Sequence, residues 1–422
     1  MSRDARRVQV LVVGGGPAGS SAAWHCAQAG LDVCLVDRAQ FPRAKPCAEY
    51  VSPEGSRLLH AMGALDTLEA RAAHLTGMVV HAPSGDRIHG EFVARHGFRG
   101  FRDKGLGVRR EVLDTVLLDR ARLAGVRVRE QAKVESLLTR ADGRVTGAML
   151  RTPDGEQAVH ADLVIGADGL RSVVSRRLGL AHVARFPRRV ALVAHYCEVD
   201  GVGALGEMHV TRNGYVGLAR VSDGLVNVAL VVPKSKAEGM RDGAEAFLER
   251  WLRAHTHLGP RFAKAARVTP VRATGPFASR AKRPWHPGAM LTGDAADFFD
   301  PFTGEGIYAA LRGGELLAEF AQAAVAATST ATHVQALRAY EQERKAVFGG
   351  KWRIEQLIGL AVGWAPLLNH AARVLSRDRD LADLLIGVTG DFVPASAVLK
   401  PRTILRLLGA GDGISLTDGA FR

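Results

Sequence analysis

Cysteine is scarce: Cys26, Cys34, Cys47 and Cys197 are the only four among 422 residues. None forms a CxxC pair, and no Cys/His cluster has the spacing of a zinc site. A disulfide framework and a structural metal are therefore not expected, and the thiols fit a reduced cytoplasm. Long apolar runs are also missing. No window reaches the roughly eighteen apolar residues that a membrane span needs. The first apolar stretch, residues 8–13, follows Arg6 and Arg7 but runs straight into Gly14-Gly15-Gly16-Pro17, so it is too short and too broken for a signal peptide. There is no internal repeat and no low-complexity tract. Acids are in the minority: 43 Asp and Glu stand against 56 Lys and Arg, a formal net charge of +13. The basic residues are scattered, with no run or module that reads as a nucleic-acid site. A solvated basic surface is the plain reading. A surface that meets anionic lipid or an acidic carrier protein is the alternative.

What is abundant is glycine, with 47 residues, which suggests many tight turns and close backbone approaches. A chain of 422 residues exceeds one typical core, so two intimately linked domains are expected. Residues 8–13 read as a buried parallel strand, 14–19 as a turn, 20–29 as a helix ended by Gly30, and 31–36 as a second strand with Asp37 at its tip. Further strands are expected at 77–81, 87–91, 126–128, 134–138, 144–151, 156–160 and 163–166, with helices at 54–62 and 111–124. From 188 to 232 the pattern alternates, which predicts an antiparallel sheet. A short strand at 289–292 precedes a long helix at 306–327, and the tail is mostly helical with a turn at Gly349-Gly350.

Three stretches carry chemistry. Gly14-x-Gly16-Pro17-Ala18-Gly19 follows a strand, opens a helix and has an acid, Asp37, at the end of the next strand. That context is what a dinucleotide fingerprint requires. Gly14 permits the tight turn, Gly16 lets a pyrophosphate approach the backbone, and Gly19 lets helix and strand close up. The helix N-terminus supplies free N–H groups and partial positive charge, while Asp37 is placed to accept from the adenosine ribose. The second stretch, Leu291-Thr292-Gly293-Asp294, is a strand end with an acid suited to sugar-alcohol hydroxyls. Pro301-Phe302-Thr303-Gly304-Glu305-Gly306-Ile307 then opens a helix whose N-terminus can face the N1–C2=O edge of a flavin. The third, residues 164–172 around Asp168-Gly169, is by itself only a turn signal.

Together, GGGPAG, GADGLRS and GDAADFFDPFTGEGI, in this order, resemble the three fingerprints of the para-hydroxybenzoate-hydroxylase-like flavoproteins. The resemblance spans about residues 8 to 345. Phe41-Pro42-Arg43-Ala44-Lys45-Pro46-Cys47 and residues 300–307 look most like the geranylgeranyl-reductase-related branch. The resemblance implies FAD as cofactor. It marks Gly14, Gly16, Pro17, Ala18, Gly19, Asp37, Arg38, Arg110, Asp168, Asp294, Pro301, Gly304, Gly306 and Ile307 as cofactor-binding positions. It also has departures. Asp37 replaces the usual Glu, and Asp297 the common His. Ser175 stands where the middle motif usually has Arg, with Arg176 following. The halogenase tryptophan pair is absent, with Gly214-Tyr215-Val216-Gly217-Leu218 in that region. No second GxGxxG has strand–helix context, since Gly409-Ala410-Gly411-Asp412-Gly413 opens no helix, so NAD(P)H is expected only as a transient reductant.

The implied fold is α/β: a Rossmann-like FAD-binding domain (residues 1–75, 105–182 and 268–345), an inserted, mostly antiparallel substrate domain (76–104 and 183–267) and a helical C-terminal region (346–422). Arg43, Lys45, Cys47 and Tyr215 form the expected catalytic set, with Glu49, Tyr50, His195, Tyr196, Phe299 and Phe302 as further groups near the flavin. The first expectation for activity is an NAD(P)H- and oxygen-dependent monooxygenase that hydroxylates an aromatic or quinone-like lipophilic secondary metabolite, free or carrier-bound. The alternatives are a geranylgeranyl-reductase-like enzyme that saturates isoprenoid double bonds, a dehydrogenase or oxidase, and a non-enzymatic FAD-binding redox protein. The apolar tail around 352–375 and the basic-apolar segment 399–408 are read first as packing over the FAD domain. A lid for a long lipophilic substrate, or an interfacial membrane contact, is the other reading.

Overall fold

The computed structural model describes residues 7–183, 188–236 and 243–409. Residues 410–413 of the glycine-rich tail run, and the rest of the tail to 422, lie outside them. The first strand, Arg7–Val13, is central in a sheet whose order is Trp285–His286, Ala289–Leu291, Gly155–Gly166, Arg7–Val13, Val33–Val36, Arg127–Arg129. Its neighbours Gly155–Gly166 and Val33–Val36 run parallel to it, with Val10 opposite Leu163 and Val33. Val10, Leu11 and Val12 are fully buried, as a strand covered on both faces must be.

Helix Pro17–Gln28 packs directly on helix Gly306–Ala326. Small residues allow the close approach: a Cβ on Gly314 would stand 2.5 Å from the Ala22 nitrogen. The Ser21 hydroxyl donates across the gap to the Leu311 carbonyl at 2.7 Å. The two helices that the two nucleotide motifs open are thus held side by side.

The second sheet runs Ala266–Arg267, Arg189–Cys197, Val226–Pro233, Gly214–Arg220, Leu205–Thr211, Gly77–His81, Arg87–Glu91. It is antiparallel except where Leu205–Thr211 meets Gly77–His81, which is parallel. Val193, Met208, Tyr215, Ala229 and Val231 point to one face. Val216, Leu218, Val228 and Leu230 point to the other, under Leu248, Trp251 and Leu252 of helix Ala244–Arg253.

Several expectations need correction. Residues 155–166 form one strand, not two, because no glycine or proline breaks it. Its first half pairs antiparallel with Val145–Thr152 and its second half parallel with the first strand. Strand Arg272–Thr274 pairs with Arg189–Cys197 and so joins the substrate sheet, not the FAD domain. Gly349 and Gly350 make no turn but lie inside a 34-residue helix, Thr330–Gly363, which also runs through the expected boundary at 346. Gly350 serves a close approach instead, since a Cβ there would sit 3.2 Å from Ala395. The last helices cover the substrate sheet, not the FAD domain. A Cβ on Gly90, in edge strand Arg87–Glu91, would stand 2.4 Å from Ile386, and the Glu91 N–H donates to Asp383 at 2.9 Å.

On the back of the sheet, the His81 and His209 rings stack at 4.2 Å. His209 Nε2 lies 2.8 Å from Glu207, whose carboxylate is also gripped by both Arg261 Nη atoms at 2.6 and 2.8 Å. Burial, with His209 and Arg87 adding to it, pushes His81 down from 6.5 to about 4. A lowered histidine pKa means that the unfolded chain takes up the proton first. The His81 contribution is therefore intact above pH 6.5 and is lost as pH falls toward about 4. Urea denaturation across that window should show stability falling with acid, and His81→Asn should flatten the slope.

Candidate active site

The glycine turn is built as its spacing requires. Gly14 has φ +105°, and a Cβ on it would meet the Ala167 carbonyl oxygen at 2.6 Å. A Cβ on Gly19 would fall 1.7 Å from the Gly14 oxygen, so only glycine lets the helix sit on the strand here. Gly16 is different, because no backbone crowds it. The nearest atoms to a Cβ would be Arg43 Nη2 at 3.5 Å and Arg110 Nη2 at 3.7 Å. Gly16 also caps its helix with no side-chain bond and no acid in the first turn. Uncapped amides facing two guanidinium groups make a seat for a diphosphate.

Asp37 is buried beside this seat. It accepts from the Gly15 N–H at 2.7 Å and the Ala39 N–H at 2.8 Å. Arg38 is exposed next to it. Arg43, expected in the catalytic set, lies beside this seat, with Nη2 the atom nearest the space over Gly16. Its guanidinium lies 3.3 Å from Asp114 and 3.8 Å from Asp37 and stacks over Phe41. Arg110 is buried and bonded bidentately to Asp114, at 2.7 Å on both arms. Burial opposes its charge, but Asp114 and Cys47 outweigh that and raise its pKa. The i,i+4 spacing of Arg110 and Asp114 on helix Arg110–Leu123 was visible in the sequence, although Asp114 was not singled out.

From this seat a cleft runs between the domains. Gly16, Pro17, Ala18, Lys45, Cys47, Arg110, Tyr215, Asp294, Pro301, Gly304, Gly306 and Ile307 all line it. Asp294 sits at the end of strand Ala289–Leu291, with Lys45 Nζ 3.9 Å away. Gly304 takes the left-handed conformation that turns the chain into helix Gly306–Ala326, which begins without a side-chain cap. The arrangement fits FAD, with diphosphate amides at one helix start, a carboxylate for ribityl hydroxyls at Asp294, and a second uncapped helix start for the flavin edge. Asp168 stands behind this wall. It accepts from the Val173 N–H, while its other oxygen is buried without a protein partner, and burial raises its pKa against Ser172 and nearby amides. Arg176 bonds back to the Ser172 and Arg171 carbonyls of its own turn. Asp297, in place of the usual His, takes Arg344 at 2.6 Å and Trp352 at 3.2 Å, and so ties the long C-terminal helix to the flavin motif.

The network that sequence reasoning left unassembled is centred on Glu49. This residue has φ +59° and is buried. Its Oε1 accepts from the Arg110 N–H at 2.8 Å. Its Oε2 lies 2.6 Å from His195 Nε2 and 3.0 Å from Asn227 Nδ2. Asn227 also donates to the Cys47 carbonyl at 2.9 Å, and His195 Nδ1 meets Thr269 at 3.1 Å. Glu49 and His195 were named among the groups near the flavin. Asn227 carried no signal, being one polar residue in an apolar strand. Of the remaining candidates, Tyr215 lines the cleft with its ring but donates its hydroxyl to Asp300 at 2.6 Å, and its pKa is raised by burial and that carboxylate. Tyr196 faces the back of the sheet against Phe262. Phe302 packs edge-on to Tyr215, Phe299 lies near Trp352, and the Tyr50 hydroxyl points toward the Thr389 carbonyl.

The sequence matches the FAD binding domain family over residues 7–352. This chain belongs to that family. The flavoprotein is similar to digeranylgeranylglycerophospholipid reductase 2 of Methanopyrus kandleri, at 29% identity over 91% of this chain and 93% of that one. It is 32% identical to a digeranylgeranylglycerophospholipid reductase of Methanothrix thermoacetophila over 81% of this chain and 84% of its relative. Among solved structures it resembles the myxobacterial chondrochloren halogenase, with a TM-score of 0.76 and 26% identity over 83% of this chain and 82% of that one. A geranylgeranyl bacteriochlorophyll reductase-like protein of Thermoplasma acidophilum shares the fold, with a TM-score of 0.72 and 23% identity over 96% and 97% of the two chains. The flavoprotein is an FAD-dependent oxidoreductase.

Asp294→Ala should lose most of the bound FAD, read as the ratio of flavin to protein absorbance, with the far-ultraviolet spectrum unchanged. A yellow, fully loaded variant would contradict the assignment. Glu49→Ala strands the buried Arg110 N–H and Asn227 amide and unpairs His195, and should cost about 3 kcal/mol of unfolding free energy in urea.

Proposed function

We propose that this flavoprotein reduces carbon–carbon double bonds of a long isoprenoid lipid. The observation that carries the reading is the near end-to-end similarity to proteins named digeranylgeranylglycerophospholipid reductases. It stands ahead of hydroxylation of an aromatic or quinone-like metabolite, the first expectation from the sequence. The cavity chemistry supports this order. Leu170, Val193, Met208, Val231, Phe277 and Phe298 give the cleft an apolar wall suited to a hydrocarbon chain. A phenol needs a group free to take its proton, yet Tyr215 already donates to Asp300 and both Glu49 oxygens already accept.

Reduced FAD held at this site would supply the hydride for one carbon of the double bond, its electrons coming from NAD(P)H or another donor. The other carbon needs a proton. Cys47 lines the cleft, and its sulfur accepts from the Glu49 N–H at 3.3 Å beside the Arg110 guanidinium. The thiol gives its proton to that carbon, with the amide and the guanidinium beside the sulfur. Solvent then restores the thiol. Lys45, held near Asp294, lines the same cleft and orients the cofactor's polar edge.

The test is anaerobic turnover by dithionite-reduced holoprotein with a geranylgeranyl ether lipid. The product should gain two hydrogens per double bond. Cys47→Ala should slow saturation about 100-fold while keeping its FAD. A parental rate from that variant removes Cys47 from the mechanism. A one-oxygen gain by an alkyl-phenol in air, with NAD(P)H consumed, returns the hydroxylase reading.

A further inference from the structure

Ten large apolar side chains are exposed among the described residues, and seven of them lie on the C-terminal helices. Leu357 and Leu360 lie three apart on helix Thr330–Gly363, Trp364 follows at the extended junction with helix Ala365–Leu375, and Leu367 lies in the first turn of that helix, so exposed apolar side chains gather along 357–367. Trp364 at the junction is 61% exposed. Leu405 lies on the last helix, Pro401–Leu407, and Leu408 is its C-cap; this helix packs on Ala365–Leu375. No helix of the described residues is long and apolar enough to cross a membrane, so the stripe is not part of a span.

Cations predominate on its own segments, and the acids beside them, Asp378 and Asp380, meet Arg406 of the last helix. Residues 356–377 and 395–409 contain no Asp or Glu. Arg353, Arg373, Arg377 and Lys400 lie on or beside these helices, exposed and in no ion pair among the described residues. A second copy docking through the same patch would set these cations against their equivalents, because a two-fold interface meets itself. An anionic bilayer surface complements both halves of the pattern: apolar side chains enter the headgroup boundary and the cations meet lipid phosphates. The face is also close to the cleft. Gly359, between Leu357 and Leu360, accepts from Arg189 at 3.3 Å. Arg189 pairs with Asp300, which holds the cavity residue Tyr215.

We propose that the stripe 357–367 and the last helix form a docking surface for an anionic lipid bilayer, which brings the mouth of the cleft to the membrane. This deepens the isoprenoid-lipid reading, but the test reads binding without turnover, so either can fail alone. Holoprotein is floated with vesicles of phosphatidylcholine, with and without phosphatidylglycerol, while tryptophan emission is followed. Binding should need the anionic lipid and should weaken with salt. Leu360→Ser/Trp364→Ser should weaken it about tenfold or more, and Arg353→Glu/Lys400→Glu comparably, with both variants keeping bound FAD and the parental melting temperature. Parental binding by the two variants would overturn the proposal, as would absence of binding by the parent. A concentration-dependent dimer that the apolar variant dissociates, without vesicle binding, would give the face to a second copy and overturn it too.

Discussion

The structure turns on a buried carboxylate. Glu49 sits in a loop of the nucleotide-binding half, yet its oxygens are shared between the Arg110 amide on that half and His195 and Asn227 on the substrate sheet. A charge removed from water is tolerable only when its lone pairs are filled, and here each partner comes from a different element. The loop is therefore fixed in three directions at once, with its backbone held in the left-handed region at φ +59°. Cys47 and Lys45 have no comparable anchors of their own. They stand in the cleft because Glu49 and the Asn227 bond to the Cys47 carbonyl hold the chain between them.

The parallel half was legible in the sequence because its rules are local. Val10, Leu11 and Val12 are apolar on both faces because the strand is central, and the glycine spacing follows from contacts within a few residues. The substrate strands were legible for the same reason: alternation reports one buried and one covered face. What was not legible depended on distant partners. Nothing near Gly349-Gly350 says that the helix continues; the reason is Ala395, packed against it. Nothing near Arg43 says where its guanidinium turns; it meets the pair of acids Asp37 and Asp114, which belong to different elements. Asn227 is a lone amide in Val226–Pro233 until Glu49 is brought to it across 178 residues.

The same distinction separates the cofactor site from the substrate site. FAD binding rests on helix starts, glycines and carboxylates whose geometry the backbone sets, so motif spacing carries it. The reaction rests on which polar groups in the cleft are still uncommitted after the fold has formed. Tyr215 illustrates this. By residue type it is a candidate acid, but its proton is directed at Asp300, which is itself paired with Arg189. The Cys47 sulfur, by contrast, lines the cleft and meets the Glu49 N–H rather than a carboxylate.

The Arg189–Asp300 pair has a second consequence. Both side chains are nearly buried, so separating them would leave an uncompensated charge at a cost of about 3–5 kcal/mol. Arg189 also reaches the Gly359 carbonyl, which lies in a helix interior where that oxygen already accepts its own helical bond. The end of the long helix is thus tied to the cavity wall through a group that resists movement, while Asp297 ties the middle of the same helix to the flavin motif through Arg344 and Trp352. Two such ties on one helix make it a rigid spacer between the exposed apolar stripe and the redox centre. The wall that this helix backs carries Tyr215, with Phe302 packed edge-on to its ring.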